Sequence, residues 1–281
     1  MLTIAGTARF VSDLHLRAER PDLTGRFAAF LAATAAAKVE VLFILGDLFE
    51  YWIGDDDLGD PFNTQVCKLL RDLADQGTRI FFIAGNRDFL IGETFAAAAG
   101  ITLLGETERI MQSGTHSGDA GGALCVPSPC VTGIPLRGPS TPLRGQVTPT
   151  LLMHGDTVCT DDIAYQQFRQ MVRAPEWQKN FLARPLTERR AEVENLRRRS
   201  TAAIQGKTAA TMGANAAAIR AALTAHGCTR LIHGHTHRPG CEDIQLDSGS
   251  AERWVLSDWD TARGDALEIS AAGVRRIDLS C

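Results

Sequence analysis

VEVLFILGD, residues 39–47, is an apolar run, interrupted only by Glu40, that ends in a glycine and then a carboxylate. Apolar residues at consecutive positions mark a strand buried on both faces, as in a sheet covered by helices. The polar pair just past the run is the informative part. In α/β sheets the strand C-termini form the rim where ligands bind.

The same pattern recurs along the chain. ARFVSD (8–13) runs into Asp13-Leu14-His15, and RIFFIAG (79–85) into Asn86-Arg87-Asp88. TLLMHG (150–155) carries His154-Gly155-Asp156, and TRLIHG (229–234) leads into His235-Thr236-His237. Between these runs, 24–37 is Ala-rich and helical, and 62–76 is amphipathic with Gly77 as its C-cap. Strands alternating with helices predict crossover connections and a layered α/β sheet. Residues 253–258, 266–270 and 274–279 read as closing antiparallel strands.

Two segments interrupt the alternation. In 112–148, 20 of 37 residues are Gly, Pro, Ser or Thr, too little apolar surface for a packed element, so a flexible insert is expected. Residues 161–225 are rich in Ala, Arg, Glu and Gln and divided by Pro175 and Pro185, the pattern of a helical insertion. The expected organisation is a core of 1–160 and 226–281, carrying the insert at 112–148 and a helical lid at 161–225.

Charge and hydropathy narrow the function. Net charge is −4, which speaks against general nucleic-acid binding. Residues 161–207 nevertheless carry ten Lys/Arg against six Asp/Glu, which suggests an anionic partner near that segment. No apolar run reaches the roughly 18–20 residues needed to cross a bilayer, and the N-terminus lacks a signal-peptide pattern. A cytoplasmic protein touching a membrane surface is expected. The seven cysteines form no close CxxC pair and read as thiols.

Asp, His and Asn side chains at strand ends suit borderline divalent ions. In an extended segment residues i and i+2 face the same way, so Asp13 and His15 can grip one ion, and His235 and His237 can both address the site. Glycine before Asp47, Asn86 and His235 lets the backbone approach closely. Two ions roughly 3.5–4 Å apart can share a bridging carboxylate and activate water against a phosphoryl group. Taken singly, DxH or Gly-Asp is a common turn. The order DxH, GD, GN, H, GHxH behind apolar strands points to a metal centre. Asp55, Asp56 and Asp57 read as a solvated loop or helix start rather than ligands, and His233 as a neighbour of the ligands. His116 and His226 read as structural or solvated, and Arg197–Arg199 as either a solvated helical face or an anion contact.

These motifs resemble the calcineurin-like metallophosphoesterase family. More narrowly, SDLHL, GDLFEYWIGDD, GNRDF, LMHGDTVCTDDIAYQQFR and IHGHTHRP resemble its members that hydrolyse UDP-2,3-diacylglucosamine in lipid A biosynthesis. The likeness runs from about residue 10 to about 260, except at 112–148, where the family has a short hairpin, and at Met212-Gly213-Ala214-Asn215, where it has MDVN. It implies a layered αββα core with a helical lid, and two Mn²⁺ ions. One ion would be held by Asp13, His15, Asp47 and His237, the other by Asp47, Asn86, His154 and His235, with Asp47 bridging. Asp47, Arg87 and His154 would serve the chemistry. Asn86, Arg87, Asp162, Ser200, Lys207 and His235 would contact a lipid sugar-nucleotide. The implied products are UMP and 2,3-diacylglucosamine 1-phosphate, and the implied location is peripheral, at the cytoplasmic face of the inner membrane.

Many members of the wider family place His where this chain has Arg87. An alkoxide leaving group needs a general acid, whereas a phosphate monoester, with a second pKa of about 6, leaves without one. Arg87 therefore favours pyrophosphate cleavage, unless it merely pairs with Asp88 or a nearby carboxylate. Phe168, Met171, Trp177, Phe181 and Leu182 of the insertion offer apolar surface for acyl chains. The competing readings are another phosphoesterase of the same fold, acting on nucleotides or general phosphodiesters, and a non-catalytic binding protein, against which the complete ligand set argues.

Overall fold

The computed structural model describes residues 1–112, 148–205 (backbone alone over 199–205) and 213–279. In chain order the elements are β1 (Leu2–Ile4), β2 (Ala8–Val11), α1 (Pro21–Ala36), β3 (Val41–Ile44), α2 (Pro61–Asp75), β4 (Arg79–Phe82), α3 (Glu93–Ala99), β5 (Ile101–Leu103) and β6 (Thr107–Gln112). There follow β7 (Thr150–Met153), α4 (Ile163–Arg173), α5 (Pro175–Leu182), α6 (Leu186–Gln205) and α7 (Ala216–His226). The chain closes with β8 (Arg230–His233), β9 (Gly240–Leu246), β10 (Gly249–Val255), β11 (Asp265–Ser270) and β12 (Gly273–Asp278).

The strands form two six-stranded sheets, ordered β1-β6-β7-β8-β10-β9 and β12-β11-β2-β3-β4-β5. β2 to β5 pair in parallel, as do β7, β8 and β10. The alternation of side chains along a strand explains the layering. Val41 and Phe43 face the opposite sheet, while Leu42 and Ile44 face α1 and α2. Phe10, Phe43 and Phe81 stack across β2, β3 and β4, with centroids 5.1 and 5.3 Å apart, and meet Leu152, Ile232 and Trp254 of the other sheet. Burying each such ring contributes about 2–3 kcal/mol. α1, α2 and α3 cover one outer face, with Phe27, Phe30, Leu70 and Phe95. α7, grouped with the insertion by its sequence, covers the other through Ile219 and Leu223 against Leu151, Met153 and Leu231.

The strands β2, β3 and β4 stop earlier than their apolar runs, because the chain leaves the ladder to turn into the site. Leu45 N–H still donates to Val11 C=O, and Ile83 N–H to Ile44 C=O. Among the closing strands, β10 pairs in parallel with β8, contrary to the antiparallel expectation, and antiparallel with β9. The short strands β1, β5 and β6, and also β9, carry too little apolar periodicity to be read from sequence.

The helices α4 to α6 lie on the core through specific contacts. Asp55, Asp56 and Asp57 form a short 3₁₀ helix, in keeping with the expected helix start, and are not arranged as ligands; Asp56 is exposed. Asp55 accepts from Gly92 N–H at 3.0 Å and Phe95 N–H at 2.9 Å, capping α3, and from Trp52 Nε1 at 3.1 Å. Asp56 pairs with Arg189, and Asp57 with Arg190, both from α6. The Arg189 side chain is 2% exposed and also donates to Ile53 C=O at 2.5 Å. In α5, Phe181 is buried in the core and stacks on Trp177, 4.9 Å away, which packs against Phe89. These two rings anchor the insertion rather than offering open apolar surface. Phe168, Met171, Leu182 and Ile163 do remain exposed.

The two arginines differ in burial, and that sets an expectation. Arg189→Ala removes packing and the partner of a carbonyl, so unfolding free energy in urea should fall by about 1–3 kcal/mol. Arg190→Ala, at a side chain 44% exposed, should cost less than about 1 kcal/mol. Equal costs would show that burial is not what makes Arg189 matter.

Candidate metal centre

Three of the five polar strand ends are bent out of their ladders by the same backbone device. Asp13, His15, Asp47, His235 and His237 all adopt left-handed φ between 49° and 63°. They are five of the six non-glycine residues with positive φ among the described residues. The extended geometry expected of DxH and HxH is therefore not what aims these side chains. Such conformations cost of order 1 kcal/mol or more each and persist where surrounding contacts over-determine them. Here Asp13 N–H donates to Gly46 C=O, and His15 N–H to Asp47 C=O, each at 3.0 Å.

Glycine serves close approach at two places. A Cβ on Gly85 would sit 2.1 Å from Asp47 Oδ1, and one on Gly234 would sit 2.1 Å from both Asp13 Oδ2 and Ser12 Oγ. The carboxylates can thus lie directly over the neighbouring loops.

The side chains converge as two joined groups. Asp13 Oδ1 lies 3.3 Å from His237 Nε2 and 4.0 Å from His15 Nε2, and the two imidazole Nε2 atoms are 3.4 Å apart. Asn86 Oδ1 lies 2.9 Å from His154 Nε2 and 2.8 Å from His235 Nδ1. Asp47 spans both: Oδ2 is 4.0 Å from His15 Nε2, and Oδ1 is 3.8 Å from His154 Nε2. Asp13, Asp47 and His154 also have ligand atoms within 4.8 Å of one another. All seven expected ligands are therefore in one cluster.

The electrostatics show what this cluster lacks. Burial pushes Asp47 up to about 7, with Asp88 and Asp13 adding to the rise and His154 opposing it. Burial would depress His154, but Asp47, Asp13 and Asp156 raise it to about 9. Burial drives His15 down to about 3 and His235 to about 4. Asp13 Oδ1 is buried with no hydrogen-bond partner. Crowded carboxylates beside imidazoles, with a buried orphan oxygen, fit divalent cations: the cations supply the missing positive charge, and the O/N donor set suits borderline metals.

Several residues that hold the ligands were not legible in advance. Asp88 is fully buried; its Oδ1 accepts from Gly85 N–H at 2.9 Å and its Oδ2 from Leu48 N–H at 2.7 Å, tying the Asp47 and Asn86 loops together. It does not pair with Arg87, whose nearest carboxylate is Glu50 at 4.0 Å. Glu50 Oε2 and Asp258 Oδ2 stand 3.5 Å from the outer nitrogens of His15 and His237, as carboxylates behind metal-bound histidines do. His233 is occupied on both sides, near Gly234 C=O at 2.8 Å and accepting from Arg253 Nε at 2.8 Å. The only sequence signal for Asp88 and Glu50 is adjacency to ligand motifs.

The insertion reaches this cluster. Tyr165 lies 5.7 Å from the His235 ring and donates to Asp156 Oδ2 at 3.1 Å, which also accepts from Arg169 Nε at 2.7 Å. Burial would raise Asp156, but His154, Arg169 and His235 hold it at about 2. Arg173 donates to Gly85 C=O at 2.7 Å. Asp162 caps α4 through Tyr165 N–H. The insert at 113–147, Lys207 and the Ser200 side chain lie outside the described residues.

Two outcomes are expected. Asp88→Asn places an amide where backbone N–H groups point, so manganese affinity should fall about 10–100-fold in a titration followed by electron paramagnetic resonance. Unchanged affinity would make Asp88 purely structural. His154, protonated at pH 7 in the metal-free protein, must lose that proton to bind metal. Metal affinity should therefore rise with pH up to about 9, and calorimetry in buffers of different ionisation enthalpy should report proton release at pH 7. Metal uptake without proton release would remove His154 from the ligand set.

Comparison with known proteins agrees with this geometry. Residues 8–239 match the family model of calcineurin-like phosphoesterases. A protein of Aromatoleum aromaticum named UDP-2,3-diacylglucosamine hydrolase is 43% identical, over 90% of this chain and 89% of its own length. One of the same name from Chromohalobacter salexigens is 42% identical, over 92% of this chain and 91% of its own. With its strand-end ligand cluster and a family match spanning most of its length, the chain belongs to the calcineurin-like phosphoesterase family.

Proposed function

We infer that this protein is a metal-dependent hydrolase that cleaves the pyrophosphate bond of UDP-2,3-diacylglucosamine in lipid A biosynthesis, releasing UMP and 2,3-diacylglucosamine 1-phosphate. The observation that carries this is the complete Asp/His/Asn cluster in a chain over 40% identical, across nine-tenths of its length, to relatives of that name.

Asp13, His15, Asp47 and His237 would hold one ion, and Asp47, Asn86, His154 and His235 the other; manganese is the metal we propose. Such ions supply charge neutralisation and Lewis-acid polarisation of phosphate and water. The protein's own groups do the rest. Asp47 is steered by Arg87 N–H, which donates to Oδ1 at 2.9 Å. The ring of His154 is fixed by Leu45 C=O, 2.8 Å from Nδ1. Arg87 Nε is buried without a partner, a donor free to meet pyrophosphate oxygens. No histidine follows Asn86, consistent with a phosphate leaving group that needs no proton.

The helices α4, α5 and α6 act as the lid for the acyl chains. Each methylene taken out of water contributes about 0.8 kcal/mol, so partial burial of two chains dominates substrate binding. Exposed Ile163, Phe168, Met171 and Leu182, with the exposed Lys179 beside them in sequence, suit docking on an anionic membrane. No helix among the described residues is long and apolar enough to cross a bilayer. We place the protein peripherally, at the cytoplasmic face of the inner membrane.

Incubation with UDP-2,3-diacylglucosamine and manganese should yield UMP, and its absence would sink the assignment. Arg87→Ala should lower turnover on the order of a hundredfold with metal content unchanged; loss of metal instead would make Arg87 structural. Phe168→Asp with Met171→Asp should abolish sedimentation with anionic vesicles, and persistent binding would move the membrane face elsewhere.

A further inference from the structure

Hydrolysis of a pyrophosphate leaves two halves, here of very different polarity. The lid helix α4 approaches the centre where Tyr165 meets His235 and Arg173 meets the Gly85 loop. His15 and His237 open into a cleft of about 200 Å³, which α6 borders through Arg197, 2.9 Å from Glu50. Its floor is Leu23 and Trp259, and Arg17, Arg20 and Arg87 line it.

The charge of this cleft is uneven in a useful way. Arg20 is engaged by Asp22 at 2.8 Å. Arg87 Nε is buried and unpartnered. Arg17 is half-buried, and among the described residues no carboxylate or hydrogen-bond acceptor holds its guanidinium. Among the described residues Glu50 is the one carboxylate lining the cleft, and Arg197 of α6 engages it at 2.9 Å. A guanidinium left without a carboxylate, beside a metal centre and above an apolar floor, is arranged for a phosphate attached to something less polar.

We propose that this cleft binds the nucleotide half of the substrate, a nucleoside 5′-monophosphate, with Arg17 as a specificity-determining contact while the lid takes the acyl half. The assignment rests on the pyrophosphohydrolase reading given above. The helical insertion supplies exposed apolar side chains, whereas the cleft supplies cationic walls and room for a phosphate and a ribose. On this assignment the two products occupy different parts of the site, and each can be titrated alone.

The test uses the manganese-loaded, full-length protein and measures affinity for UMP, inorganic phosphate and 2,3-diacylglucosamine 1-phosphate by calorimetry. Arg17→Ala should weaken UMP about tenfold, as loss of one charge-assisted contact does, and leave the lipid phosphate within twofold. Arg17→Lys, which keeps the charge but not the planar fork, should fall between. Wild-type protein should bind UMP more tightly than phosphate. If Arg17→Ala weakens the lipid phosphate instead, weakens both products equally, or weakens neither, the proposal is wrong. If phosphate binds as tightly as UMP, the cleft is a bare anion site and the nucleotide assignment falls. Failure of the underlying reading looks different: unaltered protein would then release no UMP from UDP-2,3-diacylglucosamine.

Discussion

Two buried carboxylates, Asp13 and Asp47, point into the same small volume, and among the described residues no lysine or arginine side chain pairs with either of them directly. Bringing like charges together out of water is costly unless a cation joins them. Much of the local architecture serves to keep that arrangement from relaxing. Five ligand residues sit in left-handed backbone, and Asp88 draws two loops together by their N–H groups. Gly85 and Gly234 give up side chains so that the carboxylates fit. Each device costs stability locally, and the layered core supplies it elsewhere.

The donor set is also divided between the sheets. Asp13, His15, Asp47 and Asn86 follow strands of one sheet, while His154, His235 and His237 follow β7 and β8 of the other. Neither sheet alone can build the centre. The insertion is fastened to both sides of this arrangement, through Arg169 to Asp156 and through Arg189 to Asp56. That explains why the lid helices sit so close to His235.

What was legible in the sequence follows from range. The apolar runs and the glycines beside Asp47, Asn86 and His235 are local signals, so β2, β3, β4, β7 and β8 and the seven residues that the fold gathers at their ends could be read. The assumption that DxH is extended failed because the turn is imposed by partners such as Gly46 C=O and Asp47 C=O, dozens of residues away. Asp88, Glu50 and Asp258 escaped for the same reason: what they touch is set by the fold. At 55–57 the expected helix start is present as a short 3₁₀ turn, but its partners Arg189 and Arg190 escaped because they lie 133 residues along the chain. Trp177 and Phe181 looked like lipid contacts because composition cannot say which face of a helix lands on the core. The place of α7 in the core was hidden by a shared Ala-rich composition with the insertion.

The row of stacked rings, Phe10, Phe43 and Phe81, acquires a different meaning once the centre is seen to straddle two sheets. It works as a gauge block. One residue of strand is about 3.3 Å, close to the separation between neighbouring ligand atoms, so a slip of that size would take the instrument out of calibration. Aromatic rings are stiff and resist compression, which makes them suitable spacers for holding two plates at a set distance. The tolerance of the chemistry is thus machined deep in the interior, by side chains that never approach a substrate.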